Sequence, residues 1–182
     1  MLKRLNVRAA MRMMATKPVM IITTRHASGI VTAGVFGAYT SLSGDQVGTA
    51  IGVESHTYIN IRREGVYVIN IPGRGLVGKI KIIAGDVPPE RSELDEAGLT
   101  ASSGQPFSVP HIMECVACLE CEYEQELDLG YHHLVVGRVT GGYGDEDCMD
   151  SDGYLDVITS GIFHTHRYPE DRYVVFGGEI RG

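Results

Sequence analysis

Acidic residues are missing from the first quarter of this 182-residue chain. The first is Asp45, and before it stand Lys3, Arg4, Arg8, Arg12, Lys17 and Arg25, so residues 1–44 carry +6. With a net charge of −7 for the whole chain, the remainder carries −13, which argues against nucleic acid as a partner. Serine is also absent before Ser28, so the basic end lacks the composition of a transit peptide. It is expected instead to form a surface helix that docks on an acidic region of its own chain or of a second subunit. No apolar run approaches the roughly 20 residues that cross a bilayer, so no membrane role is expected. The four cysteines (Cys115, Cys118, Cys121, Cys148) are too few for a secreted disulfide scaffold of this length, and a cytoplasmic protein is expected. With no internal repeat, low-complexity tract or shift in composition, residues 1–182 read as one domain. Such a chain can bury roughly 70 % of its unfolded surface.

What is present is organised around Phe36 to Asn60. From Val47 to Val53 the chain alternates strictly: Val47, Thr49, Ile51 and Val53 point one way, and Gly48, Ala50 and Gly52 the other. A strand with bulk on one face and almost no side chain on the other admits either a closely packed element or a flat ligand. Hydroxyls flank it. Tyr39, Thr40, Ser41 and Ser43 precede the strand, and Ser55 and Thr57 follow it where a helix is expected to begin. A helix N-terminus with free N–H groups and two hydroxyls is a natural anion site. Flat surface and anion site together point to flavin mononucleotide (FMN).

The rest of the chain is rich in strands. Leu5 to Met14 can form a short amphipathic helix that ends before Pro18. Val19 to Thr24 is a continuous apolar and β-branched run, His26 to Gly29 a turn, and Ile30 to Phe36 the returning strand of a hairpin. A helix is expected from Ser55 to Glu64, stopped by Gly65, then a strand from Val66 to Ile71 closed by Pro72. A short helix near Leu76 to Ile83 leads into the Asp86–Pro89 turn, an acidic turn through Glu96 and a polar loop to Pro110. Leu119 to Leu127 alternates: Leu119, Cys121, Tyr123 and Leu127 share one face, and Glu120, Glu122, Glu124 and Glu126 a wet acidic one. Leu134–Val139, Leu155–Ile158 and Tyr173–Phe176 are the remaining strands. The fold class is therefore mainly β with short helices, a closed or nearly closed barrel.

Three motifs compete for attention. Gly73-x-Gly75-x-x-Gly78 follows a strand and opens a helix, but Pro88-Pro89 stands where the next parallel strand of a dinucleotide fold would run, so it reads as a glycine-rich turn. Cys115-x-x-Cys118-x-x-Cys121 lacks the fourth cysteine and the following proline of an iron–sulfur run, and on a strand Cys118 points away from the other two. His164-x-His166 with Glu170 puts two imidazoles on one strand face, but Pro169 interrupts it and no later histidine completes a site. No metal is expected. His132 and His133 are adjacent, so one faces inward and the other outward.

In order and spacing, several pieces resemble the flavin reductase-like family. They are Lys17–Thr24, Ala38-Tyr39-Thr40-Ser41, Ala50–Thr57, Val68–Pro72, Ala97–Thr100 and Gly130-Tyr131-His132-His133-Leu134-Val135-Val136-Gly137-Arg138-Val139. The resemblance covers roughly residues 16–142 and implies the FMN-binding split barrel of flavoredoxins and NAD(P)H:flavin oxidoreductases. It implies FMN held by Ala38, Tyr39, Thr40 and Ser41, by Gly52, and by Ser55, His56, Thr57 and Asn60, in a homodimer. His132 would stand beside the flavin where a nicotinamide or another electron donor approaches. The activity implied is hydride transfer from NAD(P)H to flavin, with a flavoredoxin-type carrier reduced by a protein, or a non-catalytic binding protein, as alternatives. Tyr131 departs from the family, which carries an acidic residue before that histidine.

Overall fold

The computed structural model describes residues 2, 4–14, 16–85, 87–102, 107–166 and 170–178. Asp86 and Pro169, which belong to the turn and to the histidine motif considered above, lie outside them. After a short helix α1 (Val7–Met11), the strands are β1 (Thr16–Pro18), β2 (Met20–Arg25), β3 (Val31–Phe36), β4 (Tyr39–Ser41) and β5 (Gln46–Gly52). Helix α2 (His56–Glu64) and β6 (Val66–Ile71) follow, then α3 (Val77–Ile83) and α4 (Glu93–Ala97). The long strands β7 (Ala117–Asp128) and β8 (His132–Gly144) precede a final hairpin of β9 (Phe163–His166) and β10 (Arg172–Val175).

Seven strands form one sheet in the order β3-β2-β6-β7-β8-β5-β4, with neighbours paired antiparallel. Side chains from β2, second in that order, and β5, sixth, meet in one buried cluster: Met20, Ile22, Val47, Ile51, Ile61, Tyr67, Ile69, Cys121 and Val135. Contact between strands so far apart requires the sheet to curl, and the curled sheet is a split barrel with this cluster inside it. A second cluster covers the other face, where α3, α4 and Phe163 of β9 pack on Val19, Ile21 and Ala33. Strand β2 is therefore buried on both sides, which is why it reads as an unbroken apolar run rather than an alternating one.

Strand β3 is an edge, and α4 covers part of it. The Ser92 hydroxyl donates to the Val31 carbonyl (2.6 Å), and the Glu93 carboxylate accepts the Ala33 N–H (2.9 Å). Two main-chain groups that could have paired with another chain are thus occupied. An acidic turn is expected here from the sequence. The segment folds instead as a helix between the Ser92 N-cap and Gly98, whose φ of 59° ends it.

Three other expectations change. Strand β7 does not keep one acidic face, because the register shift between Tyr123 and Gln125 leaves Glu124 as an extra residue on it, whereas the shift at Glu120/Cys121 places its extra residue, Thr140, on β8. The one extra residue at Glu124 flips the β7 side chains beyond it to the opposite face. Leu127 is left exposed, while Glu126 turns in to meet Tyr58 and His133. Leu155–Ile158 is a turn rather than a strand, joined to the preceding loop by a Leu155–Met149 bridge and by the Asp156 N–H donating to the Cys148 carbonyl (2.9 Å). The amphipathic pattern from Leu5 to Met14 yields only the five helical residues of α1, none of them buried.

The three clustered cysteines lie in three packing environments: Cys115 against the α3–α4 cluster, Cys118 with Val68 and Val109, and Cys121 in the barrel. Burial pushes the Cys121 thiol up to about 12 and Cys115 up as well, so both carry their protons at neutral pH. A protonated, buried thiol is neither a ready metal ligand nor a nucleophile.

Candidate functional site

A cleft of about 850 Å³ opens between the β3–β5 side of the barrel, the start of α2, the end of α3 and the final hairpin. That volume is in the roughly 300–1,000 Å³ range of small-molecule sites. One wall is almost bare of side chains. Gly34 and Gly37 flank Phe36, and Ala38 and Ala50 add a single carbon each. Gly34 is under real constraint, since a Cβ there would come 2.9 Å from both the Phe36 ring and the Thr57 hydroxyl. The small residues of β5 do not all serve this wall, however. Gly48 is covered by Leu42 and Leu134, so its missing side chain accommodates packing, not a ligand.

The start of α2 faces the same space through Ser55, His56 and Thr57. Ser55 is the N-cap: its hydroxyl accepts the Tyr58 N–H (3.2 Å) and donates to the Gly52 carbonyl (2.7 Å). The donor expected of Ser55 toward an anion is thus engaged within the chain. The N–H groups of His56 and Thr57, in the first turn, have no intrahelical acceptor available to them. The site has donors for a phosphate in these two amides, with Thr57 beside them, and Glu54 as the acidic neighbour in the lining.

His132 lines the cleft from β8, opposite Gly52 on β5. Gly52 lies beside the imidazole, since a Cβ there would sit in ordinary contact 4.0 Å from His132 Nε2. The neighbouring His133 turns the other way and is held at both nitrogens. Nδ1 lies 3.1 Å from Glu126 and from the Tyr58 hydroxyl, and Nε2 3.3 Å from Asp128. These bonds tie the β7–β8 turn to α2, so the strand end that carries His132 is braced against the helix that opens the cleft.

Of the residues named from the sequence, the cleft brings together Ala38, Ser55, His56, Thr57 and His132. Tyr39, Thr40, Ser41, Gly52 and Asn60 are not among its lining residues. Tyr39 packs against the barrel cluster, and Thr40 and Ser41 are exposed on the edge strand β4. Asn60 is fully buried and donates to the hydroxyls of Thr24 (3.1 Å) and Thr32 (3.3 Å), which makes it a core bracket between α2 and the β2–β3 hairpin. Sequence reasoning missed Gly34 and Gly37, although the small-residue run just before Ala38 signals them. It also missed Lys17, Glu93, Asp171 and Tyr173, which only the tertiary structure gathers.

Comparison with known proteins agrees with this architecture. The flavin reductase like domain matches residues 11–169, and the chain belongs to that family. An uncharacterised protein of Halalkalibacterium halodurans is 27 % identical over 165 residues, which cover 84 % of this chain and 78 % of that one. The flavoredoxin of Desulfovibrio vulgaris (Miyazaki F) superposes with a TM-score of 0.86 at 17 % identity, covering 100 % of this chain and 97 % of its own. An FMN-binding protein of Thermus thermophilus, solved with 1-cyclohex-2-enone, gives 0.80 at 16 % identity and covers 100 % and 98 %. At such identities the two structures speak for the fold.

The role of the α2 terminus can be measured. Thr57→Val with Ser55→Ala is expected to weaken FMN by about tenfold or more, through lost anion contacts and a loosened first turn. Riboflavin, which lacks the phosphate, should be affected within a few fold. Equal losses for both ligands in parallel titrations would mean that the helix end supports the fold alone.

Proposed function

We propose that this chain binds FMN in the cleft as a homodimer and serves as an NAD(P)H-dependent flavin reductase in the cytoplasm. The observation that carries the reading is one cavity holding both halves of the ligand's chemistry. A wall of Gly34, Gly37, Ala38 and Ala50 offers contact to a flat ring, and the first-turn amides of α2 offer donors to a phosphate. Bound there, the flavin supplies the redox chemistry, accepting a hydride equivalent and handing the electrons on. The protein's part is to bind, orient and shield. His132 faces the cleft with its ring accessible, so it can hydrogen-bond an incoming donor and fix its approach. The four cysteines are free thiols, as suits a reducing compartment.

Anaerobic mixing of FMN-loaded protein with NADH or NADPH tests this directly. Bleaching of the flavin bands at a rate that His132→Ala lowers about tenfold, with FMN affinity within a few fold, is the expected result. An unchanged rate would reduce His132 to a bystander. Failure of both nicotinamides, with reduction by a protein donor, would make the chain a flavoredoxin-type carrier.

A further inference from the structure

The N-terminal segment has no partner in its own chain among the described residues. Helix α1 buries none of its residues, and Val7, Met11, Met13 and Met14 are 62–81 % exposed. Arg4, Arg8 and Arg12 form no ion pair among the described residues. A five-residue helix is far below the roughly 12–15 residues at which an isolated helix becomes even marginal in water. A segment this short, with its apolar and basic side chains all unburied, gains stability by packing on another surface.

The same chain presents the complement. Between Arg138 and Arg167 there is no Lys or Arg, and the loop from Asp145 to Ile158 carries six carboxylates. Asp145, Glu146, Asp147, Asp150 and Asp152 are exposed, none in an ion pair among the described residues, around exposed Met149, Tyr154 and Ile158. Apolar side chains ringed by one sign of charge match an arm of apolar side chains ringed by the other.

We infer that the basic arm of residues 4–14 docks on the Asp145–Ile158 surface of a second copy of this chain, exchanged between the two protomers. Topology favours the second copy over the arm's own loop. The arm joins β1, whose first residue, Thr16, pairs with His166 at the end of β9, whereas the acidic loop enters β9 at the other end, through Gly161 and Ile162. To reach its own loop the arm must run back along that strand. A mutual exchange is also what two-fold symmetry demands, since each copy offers one arm and one loop. The inference rests on the homodimer proposed above and names the surfaces that make it.

Charge reversal decides it, read as the dimer dissociation constant from sedimentation of the full chain. Arm variant Arg4→Glu/Arg8→Glu/Arg12→Glu and loop variant Glu146→Lys/Asp147→Lys/Asp152→Lys are each expected to weaken the dimer about tenfold or more. The three loop side chains accept none of the bonds that brace the turns, which fall to Asp145, Asp150 and Asp156. Mixing the two variants should restore a heterodimer, because each reversed arm then meets a reversed loop. Restoration on mixing is the mark of exchange, since an arm folded on its own loop stays mismatched whatever it is mixed with. Dimers unaffected by either reversal would overturn the arm exchange and leave the dimer standing. A wild-type monomer would overturn both. Arm-dependent binding to anionic lipid vesicles with no rescue on mixing would assign the arm to a membrane surface instead. FMN titration of each variant, unchanged in every case, keeps these outcomes separate from the flavin reading.

Discussion

Ala50→Leu is expected to weaken the FMN binding proposed for the cleft by roughly 10- to 10²-fold while leaving the barrel folded. Ala50 sits in the middle of β5, paired with Leu134, and its methyl is part of the bare wall of the cleft. Its strand neighbours Thr49 and Ile51 are fully buried on the opposite side, so the backbone cannot turn the longer side chain inward. The added carbons therefore extend into the space proposed for the ring. Overlap of this kind costs about 1–3 kcal/mol in a packed site, which is roughly 10- to 10²-fold in affinity. Fluorescence titration with FMN checks the loss, and circular dichroism checks the fold. Wild-type affinity in Ala50→Leu would move the ring away from β5 altogether.

The largest expected loss of stability is at Gly137. Tyr67 is fully buried in the barrel, with the Cys121 thiol beside its hydroxyl. Gly137 on β8 is what makes room for it, since a Cβ there would overlap the Tyr67 hydroxyl and lie 2.9 Å from the carbon bearing it. Neither party can yield, because Gly137 is held by β5 on one side and β7 on the other. Gly137→Ala is expected to destabilise the fold by about 3 kcal/mol, or roughly 6–12 °C in Tm for a chain of this size. Tyr67→Phe in the same background removes the colliding oxygen and should recover part of the loss. A Gly137→Ala protein that melts with the wild type would show that Tyr67 is not held as described.

These two positions also mark how far the sequence could be read. The strand from Gln46 to Gly52 is legible because bulk and its absence alternate along it, and Ser55 and Gly65 punctuate the next helix with residues suited to capping. The inside of the barrel was less so. Nothing near Gly137 in sequence announces Tyr67, about seventy residues earlier, because the contact exists only once β6, β7 and β8 lie side by side. Strand β7 misleads for a related reason. Its alternation of apolar residues and glutamates is regular on paper, and a single extra residue at Glu124 undoes it, sending Glu126 inward and Leu127 out. At the site, Ala38, His132 and the α2 start could be picked out as local patterns. Asn60 could not be told apart from a ligand residue, since a buried amide that bridges two threonine hydroxyls looks like any polar residue in a helix. Lys17, Asp171 and Tyr173 reach the cleft from opposite ends of the chain through the β1–β9–β10 sheet.

The central claim is that this cleft holds FMN, and its most direct measurement is the visible spectrum of the purified protein titrated with FMN. The account predicts perturbed flavin bands that saturate at one FMN per chain in the wild type, and in Ala50→Leu only at roughly 10- to 10²-fold higher FMN. A wild-type spectrum that remains the sum of free FMN and protein at every concentration would contradict it.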